Sequence, residues 1–135
     1  MRGSASGHLT ARTGADLLDQ ALALGRRIRV ELGEHDLTIR QFQALRALAP
    51  APLRLGQLAE AVEVRAPSAV ALVDGLMAGG HVARRPDPAD ARASLIELTP
   101  GGRRVLRTAQ AHVVRMLDHE LAAGPAGDEP ASRRR

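Results

Sequence analysis

The sequence predicts a mainly α-helical fold with a single two-stranded β-ribbon set between helices, and three observations predict it. Phe42 is the one aromatic residue, which leaves the core to Leu, Val, Ile, Ala and Met, side chains that pack helices at close range. Apolar residues recur at helical spacing in successive segments separated by Gly and Pro. The stretch from Arg84 to Arg103, RRPDPADARASLIELTPGGR, places two short strands around a polar, proline-rich tip and then opens a capped helix. Two short helices joined by a tight turn and followed by such a ribbon make a winged helix-turn-helix.

The elements follow in order. Residues 1–12 are small, polar and without periodicity; the opening Met-Arg-Gly-Ser resembles an expression-vector leader, so they are read as a disordered leader. Thr13 is an N-cap with Asp16 in the first turn, and Leu17, Leu18, Ala21, Leu22, Ile28 and Leu32 carry a helix over about 13–32 that Gly33 ends. Thr38 and Gln41 form a capping-box pattern for a second helix that buries Leu37, Phe42, Leu45 and Leu48 before Pro50 and Pro52 stop it. After an extended Leu53-Arg54-Leu55, a compact helix from Gly56 to about Val62 turns Leu58, Ala59 and Val62 inward. A turn at Glu63 to Arg65 leads to a helix starting near Pro67, with Val70, Val73, Leu76 and Met77 as its apolar stripe and Gly79-Gly80 as its end.

The ribbon strands are expected at His81–Arg85 and Ser94–Leu98, with Asp87, Asp90 and Arg92 projecting at the tip. Thr99-Pro100 starts the last helix, which runs through Leu106, Ala109, Val113, Met116, Leu117 and Leu121 to Gly124-Pro125. The closing GPAGDEPASRRR reads as tail, giving a disordered segment over 123–135. At 135 residues and 44% hydrophobic content, the segment 13–122 fits one domain, with the winged helix-turn-helix at about 37–99.

Composition excludes several functions. The chain has no cysteine, which removes disulfides, thiolate metal sites and thiol-based redox sensing. No apolar run reaches the roughly 18 residues that span a bilayer, and a cytoplasmic, soluble protein with no membrane partner is expected. Net charge is +4, and all 19 basic residues are arginine. Five of these, Arg2, Arg12, Arg133, Arg134 and Arg135, lie at the ends, however, and the body is near neutral. Only locally clustered arginines can therefore argue for nucleic acid. No phosphate loop, Ser-His-Asp set or supported carboxylate pair appears, so neither an enzyme nor a cofactor is expected. His112 and His119 share a face of the last helix but stand about 10 Å apart, too far to hold one ion between them without a partner chain.

The order of elements, with Leu37-Thr38 to Leu45, Gln57-Leu58-Ala59, Asp90-Ala91-Arg92 and Leu98-Thr99-Pro100-Gly101-Gly102, resembles the MarR family of dimeric transcriptional regulators over about residues 13–122. The resemblance implies a winged helix-turn-helix flanked by N- and C-terminal dimerisation helices, about 13–32 and 100–122. It implies double-stranded DNA as partner, bound by a homodimer at a pseudo-palindromic operator, most often in repression. The helix after the turn would enter the major groove, and Arg92, oriented by Asp90, the flanking minor groove, where a narrow groove's negative potential draws a guanidinium.

The same resemblance makes Arg65 and Ser68 contacts at the start of the recognition helix, and at least one of Arg84 and Arg85 a phosphate contact. Arg54 and Gln57 are further phosphate candidates, equally readable as solvated surface. Two departures stand out. After Ser68 the recognition helix continues with Ala69, Val70, Ala71 and Gly75, which predicts weak or shape-dependent sequence specificity. Gly124, Pro125 and a polar tail stand where the family adds a further dimer helix. A small anionic or phenolic effector is implied by many relatives, with Arg26, Arg27, Arg29 and Arg46 as anion partners and Phe42 as the one aromatic wall. The rival reading, kept alive by the sparse recognition helix, is a winged-helix module that binds protein.

Overall fold

Hydrogen bonds from short side chains decide where the first helices begin. Thr13 Oγ1 accepts from the Asp16 amide at 3.1 Å, and α1 runs over Gly14–Gly33. Thr38 Oγ1 accepts from the Gln41 amide at 3.0 Å while Gln41 Oε1 accepts from the Thr38 amide at 3.0 Å, a reciprocal box that opens α2 at Ile39–Leu48. The expected caps are therefore present. These coordinates are a computed structural model that describes residues 11–123. The expected leader and tail lie outside the described residues, except for Ala11, Arg12 and Ala123, the last of which still belongs to the final helix.

Five helices and one two-stranded antiparallel sheet make up the described chain. After α2 come α3 (Leu55–Ala61), α4 (Ala66–Ala78), β1 (Val82–Asp87), β2 (Asp90–Leu98) and α5 (Pro100–Ala123). Leu55 is already helical, so Leu53 and Arg54 remain extended, and Leu53 pairs with Ile96 of β2 through two hydrogen bonds of 3.0 and 2.7 Å. The chain divides into two units, residues 32–110 and the ends of the two long helices outside them.

Within residues 32–110, α2, α3 and α4 pack on one another and against the sheet. Leu45, Leu48, Leu58, Val73, Leu76 and Ile96 are fully buried at the centre. Arg40 braces this arrangement from outside, donating to the Val62 carbonyl at 2.9 Å and so holding the turn between α3 and α4. That turn needs Glu63 at φ 58°, a left-handed conformation that lets the Val64 amide reach back to the Ala59 carbonyl at 3.0 Å.

The stripe expected on α4 is corrected in part. Val73 and Leu76 are buried, but their third partner is Ala69, while Val70 and Met77 stay 41% and 39% exposed. Ala69, Val73 and Leu76 occupy the i, i+4, i+7 line that faces α2, α3 and β1, and Val70 and Met77 fall on the other side of the helix. At its end Gly80 takes φ 78° and the His81 amide bonds the Leu76 carbonyl at 2.9 Å, the glycine stop the sequence predicts.

The other unit consists of residues 11–31 and 111–123. Arg27 and Glu120 join its helices through a 2.6 Å ion pair that holds the Glu120 carboxyl below its ordinary range. His112 stands 3.8 Å from Glu31. Leu17, Leu18 and Leu22 of α1 are more than half exposed, and Val30, Val114 and Leu121 are exposed as well. Among the described residues no helix is long and apolar enough to cross a membrane.

Candidate nucleic-acid interface

Arg65 is the residue before α4, with extended backbone (φ −80°, ψ 162°) and no side chain capping the helix. A guanidinium has no acceptor to offer the first-turn amides, so this helix start, unlike that of α2, is left to solvent or to an anion. Pro67 in the first turn needs no amide partner, and Ser68 follows, exposed. Ser68 lines a shallow cleft with Thr38, Arg40, Gln41, Val64, Ala71 and Leu72. Arg40 and Gln41 were not among the expected contacts; both sit at the start of α2, and the capping-box spacing that explained Gln41 concealed its position beside α4.

The wing is longer than the sequence predicts. Both strands extend toward the tip, which shrinks to the two-residue turn Pro88-Ala89. Pairing runs regularly from Val82↔Leu98 to Pro86↔Ser94 and then jumps to Asp87↔Asp90, so Ala91, Arg92 and Ala93 have no cross-strand partner in the register. Arg92 therefore stands on a bulge, with its side chain 92% exposed. Asp90 Oδ1 accepts from the Arg92 amide at 3.1 Å and lies 3.4 Å from its Nε, which directs the guanidinium while adding little stability.

Arg84 and Arg85 alternate as the strand requires. Arg84 is exposed, and Arg85 is partly covered and paired with Glu97 at 2.9 Å. Arg84, Arg85 and Arg92 line one shallow groove with Pro86, Ala91 and Ser94. This is the local cluster of arginines that overall charge could not reveal.

Asp87 corrects the expectation for the tip. It does not project but is buried, 9% exposed, with its carboxylate turned toward the helix-turn-helix. Oδ1 accepts from the Ala89 amide at 2.9 Å, and Oδ2 accepts from Arg54 Nε at 2.8 Å and is in contact with a terminal nitrogen of the same guanidinium. The Ala89 amide and then the Arg54 fork hold the Asp87 carboxyl below its ordinary range, against the opposing effect of burial. Arg54, expected on the DNA side of α3, thus spends part of its guanidinium inside the protein. Its own amide donates to Gln57 Oε1 at 2.9 Å, so Gln57 caps α3 while remaining exposed. Phe42 is buried in the core, as the helical spacing of α2 predicts.

Two short helices followed by a ribbon carrying three arginines on one groove form a winged helix-turn-helix. Residues 35–93 match the sequence model of the MarR family. Among solved structures, the transcriptional regulator BldR from Sulfolobus solfataricus is 26% identical, with a TM-score of 0.71, over 86% of this chain and 84% of that one. Wild-type apo MarR from E. coli is 25% identical, with a TM-score of 0.73, over 92% and 93%. A cysteine-to-serine mutant of E. coli MarR complexed with operator DNA is 26% identical, with a TM-score of 0.71, over 90% and 87%. The winged helix of this chain is thus similar to the MarR family, and the matched structures are those of transcription regulators, not enzymes. A search of curated protein sequences found no match.

Proposed function

We propose that this chain is a sequence-specific DNA-binding transcriptional regulator that binds a pseudo-palindromic operator as a homodimer and acts as a repressor. The observation that carries this reading is the wing, where Arg84, Arg85 and Arg92 gather on one groove and Arg92 is almost wholly exposed. A guanidinium so placed suits a narrow minor groove, while the uncapped start of α4, with Arg65 and Ser68, suits the phosphates and base edges of the major groove. Gln57 offers a further phosphate contact from α3. The similarity to a MarR solved on operator DNA supports the same docking.

A two-fold dimer is supported by Leu17, Leu18 and Leu22 of α1 and by Val114 and Leu121 of α5, an apolar surface that a lone chain leaves in water. Release by a small anionic effector has weaker support, from an open cleft lined by Arg27, Arg115, His112 and His119, because Glu31 also lines it and Glu120 already pairs with Arg27. The rival reading, a protein-binding winged helix, is favoured by one observation: Val70 and Met77 expose apolar surface on α4, and no basic residue follows Arg65 in that helix.

Mobility shifts on DNA upstream of the chain's own gene, run across a salt series, test the proposal. A preferred site with a steep salt slope is expected, and no binding even at low salt would leave the protein-binding reading in place.

A further inference from the structure

We propose that Arg54 and Asp87 are positioning residues that aim the wing arginine, Arg92, from the first helix of the helix-turn-helix; the inference rests on the DNA-binding reading above. Asp87 is the one charged or polar side chain in the buried set of the described residues, and it makes three connections at once. Its Oδ1 holds the tip turn through the Ala89 amide, its Oδ2 holds the Arg54 fork, and its backbone sits where the strand register jumps. Immediately beyond that jump lies the bulge that carries Arg92.

Arg54, in turn, is the residue that precedes α3, a place usually taken by a small hydroxyl or carboxamide side chain that caps the helix. Arginine cannot cap, but it can reach the wing, and here it does so with two nitrogens on one carboxylate oxygen. The Gln57 side chain takes over the Arg54 amide, so the backbone at the base of this strut is fixed as well. A bulged ribbon held only at its root would let Arg92 sweep a wide arc; tied at Asp87, the bulge has a defined direction from α3.

The chain has no cysteine, so spin labels can be placed cleanly at Glu60→Cys and Arg92→Cys, both exposed positions. The distance distribution between them should be narrow in the parent chain and clearly broader with Asp87→Asn or Arg54→Ala. An unchanged width in both variants overturns the strut, whether or not DNA is bound.

The second measurement is DNA affinity, on a duplex selected by the parent chain from a random-sequence pool. Asp87→Asn should weaken binding roughly tenfold when Arg92 is present and have little further effect in Arg92→Ala. Equal losses in the two backgrounds overturn the coupling to Arg92. If the parent chain selects no duplex at all while the labels still broaden, the DNA-binding reading fails and the strut stands as a feature of the wing alone.

Discussion

Gly102 lies directly against the backbone of His81: a Cβ built on it would clash with the His81 carbonyl oxygen. That oxygen already accepts from the Thr99 amide at 3.0 Å, and Thr99 Oγ1 both accepts from the Gly102 amide at 2.9 Å and donates to the Gly80 carbonyl at 2.6 Å. The start of α5 is thereby locked to the turn after α4. Gly102→Ala should cost about 3 kcal/mol or abolish folding, because backbone and not a flexible side chain must yield. At Gly101 the same Cβ would meet nothing nearer than 3.6 Å, so Gly101→Ala is the control and should be neutral or slightly stabilising. Urea unfolding of the two variants gives the comparison.

Thr38→Ala removes the acceptor for the Gln41 amide and should destabilise the chain by about 1 kcal/mol. Thermal unfolding reads this directly. Gln41→Ala, which loses only the reciprocal half of the box, should cost less.

The Asp87 carboxyl titrates below its ordinary value in the folded chain, so it contributes stability that is complete above the unfolded carboxylate value of about 3.9 and lost as pH falls through the lower folded value. Asp87→Asn should therefore be less stable than the parent at neutral pH, and the gap should close in strong acid. Denaturation midpoints of both chains across a pH series show whether it does.

Arg92→Ala should weaken DNA binding without changing the oligomeric state, and the slope of log affinity against log salt should flatten by about 1 if the guanidinium meets a phosphate. Arg85→Ala, whose parent side chain is already paired with Glu97, should lose less. Equal losses for the two would remove the distinction between the exposed wing arginine and the half-covered one paired with Glu97.

Leu18→Glu and Leu22→Glu place charges on α1 positions 58% and 56% exposed in the single chain. A dimer built on this face should dissociate, shown by sedimentation, with helix content retained. A variant that sediments as the parent does would place the dimer surface elsewhere.

Features set by near neighbours were legible in the sequence. The Thr38–Gln41 box, the Thr99-Pro100 start and the Gly79-Gly80 stop each depend on residues within a few positions of one another, and each appears where the spacing puts it. The alternation of Arg84 and Arg85 was legible for the same reason. Asp87 was not: its partner Arg54 lies 33 residues away, and a polar residue between two prolines reads locally as a tip. The side of α4 that is buried was likewise fixed by α2, α3 and β1, so Ala69 went inward and the more hydrophobic Val70 did not. The bulge at Ala91–Ala93 carries no composition of its own to announce it.

The pair of hydrogen bonds between Leu53 and Ile96 makes the approach to α3 and the inner part of β2 a single short ladder. These amide protons should exchange with solvent together and late, because releasing either one uncouples both segments. A swing of the whole wing as a free arm is then costly. Any bound partner that pulls on the ribbon works against a fulcrum at Leu53 and Ile96 at its root and, nearer the tip, against the Arg54–Asp87 tie.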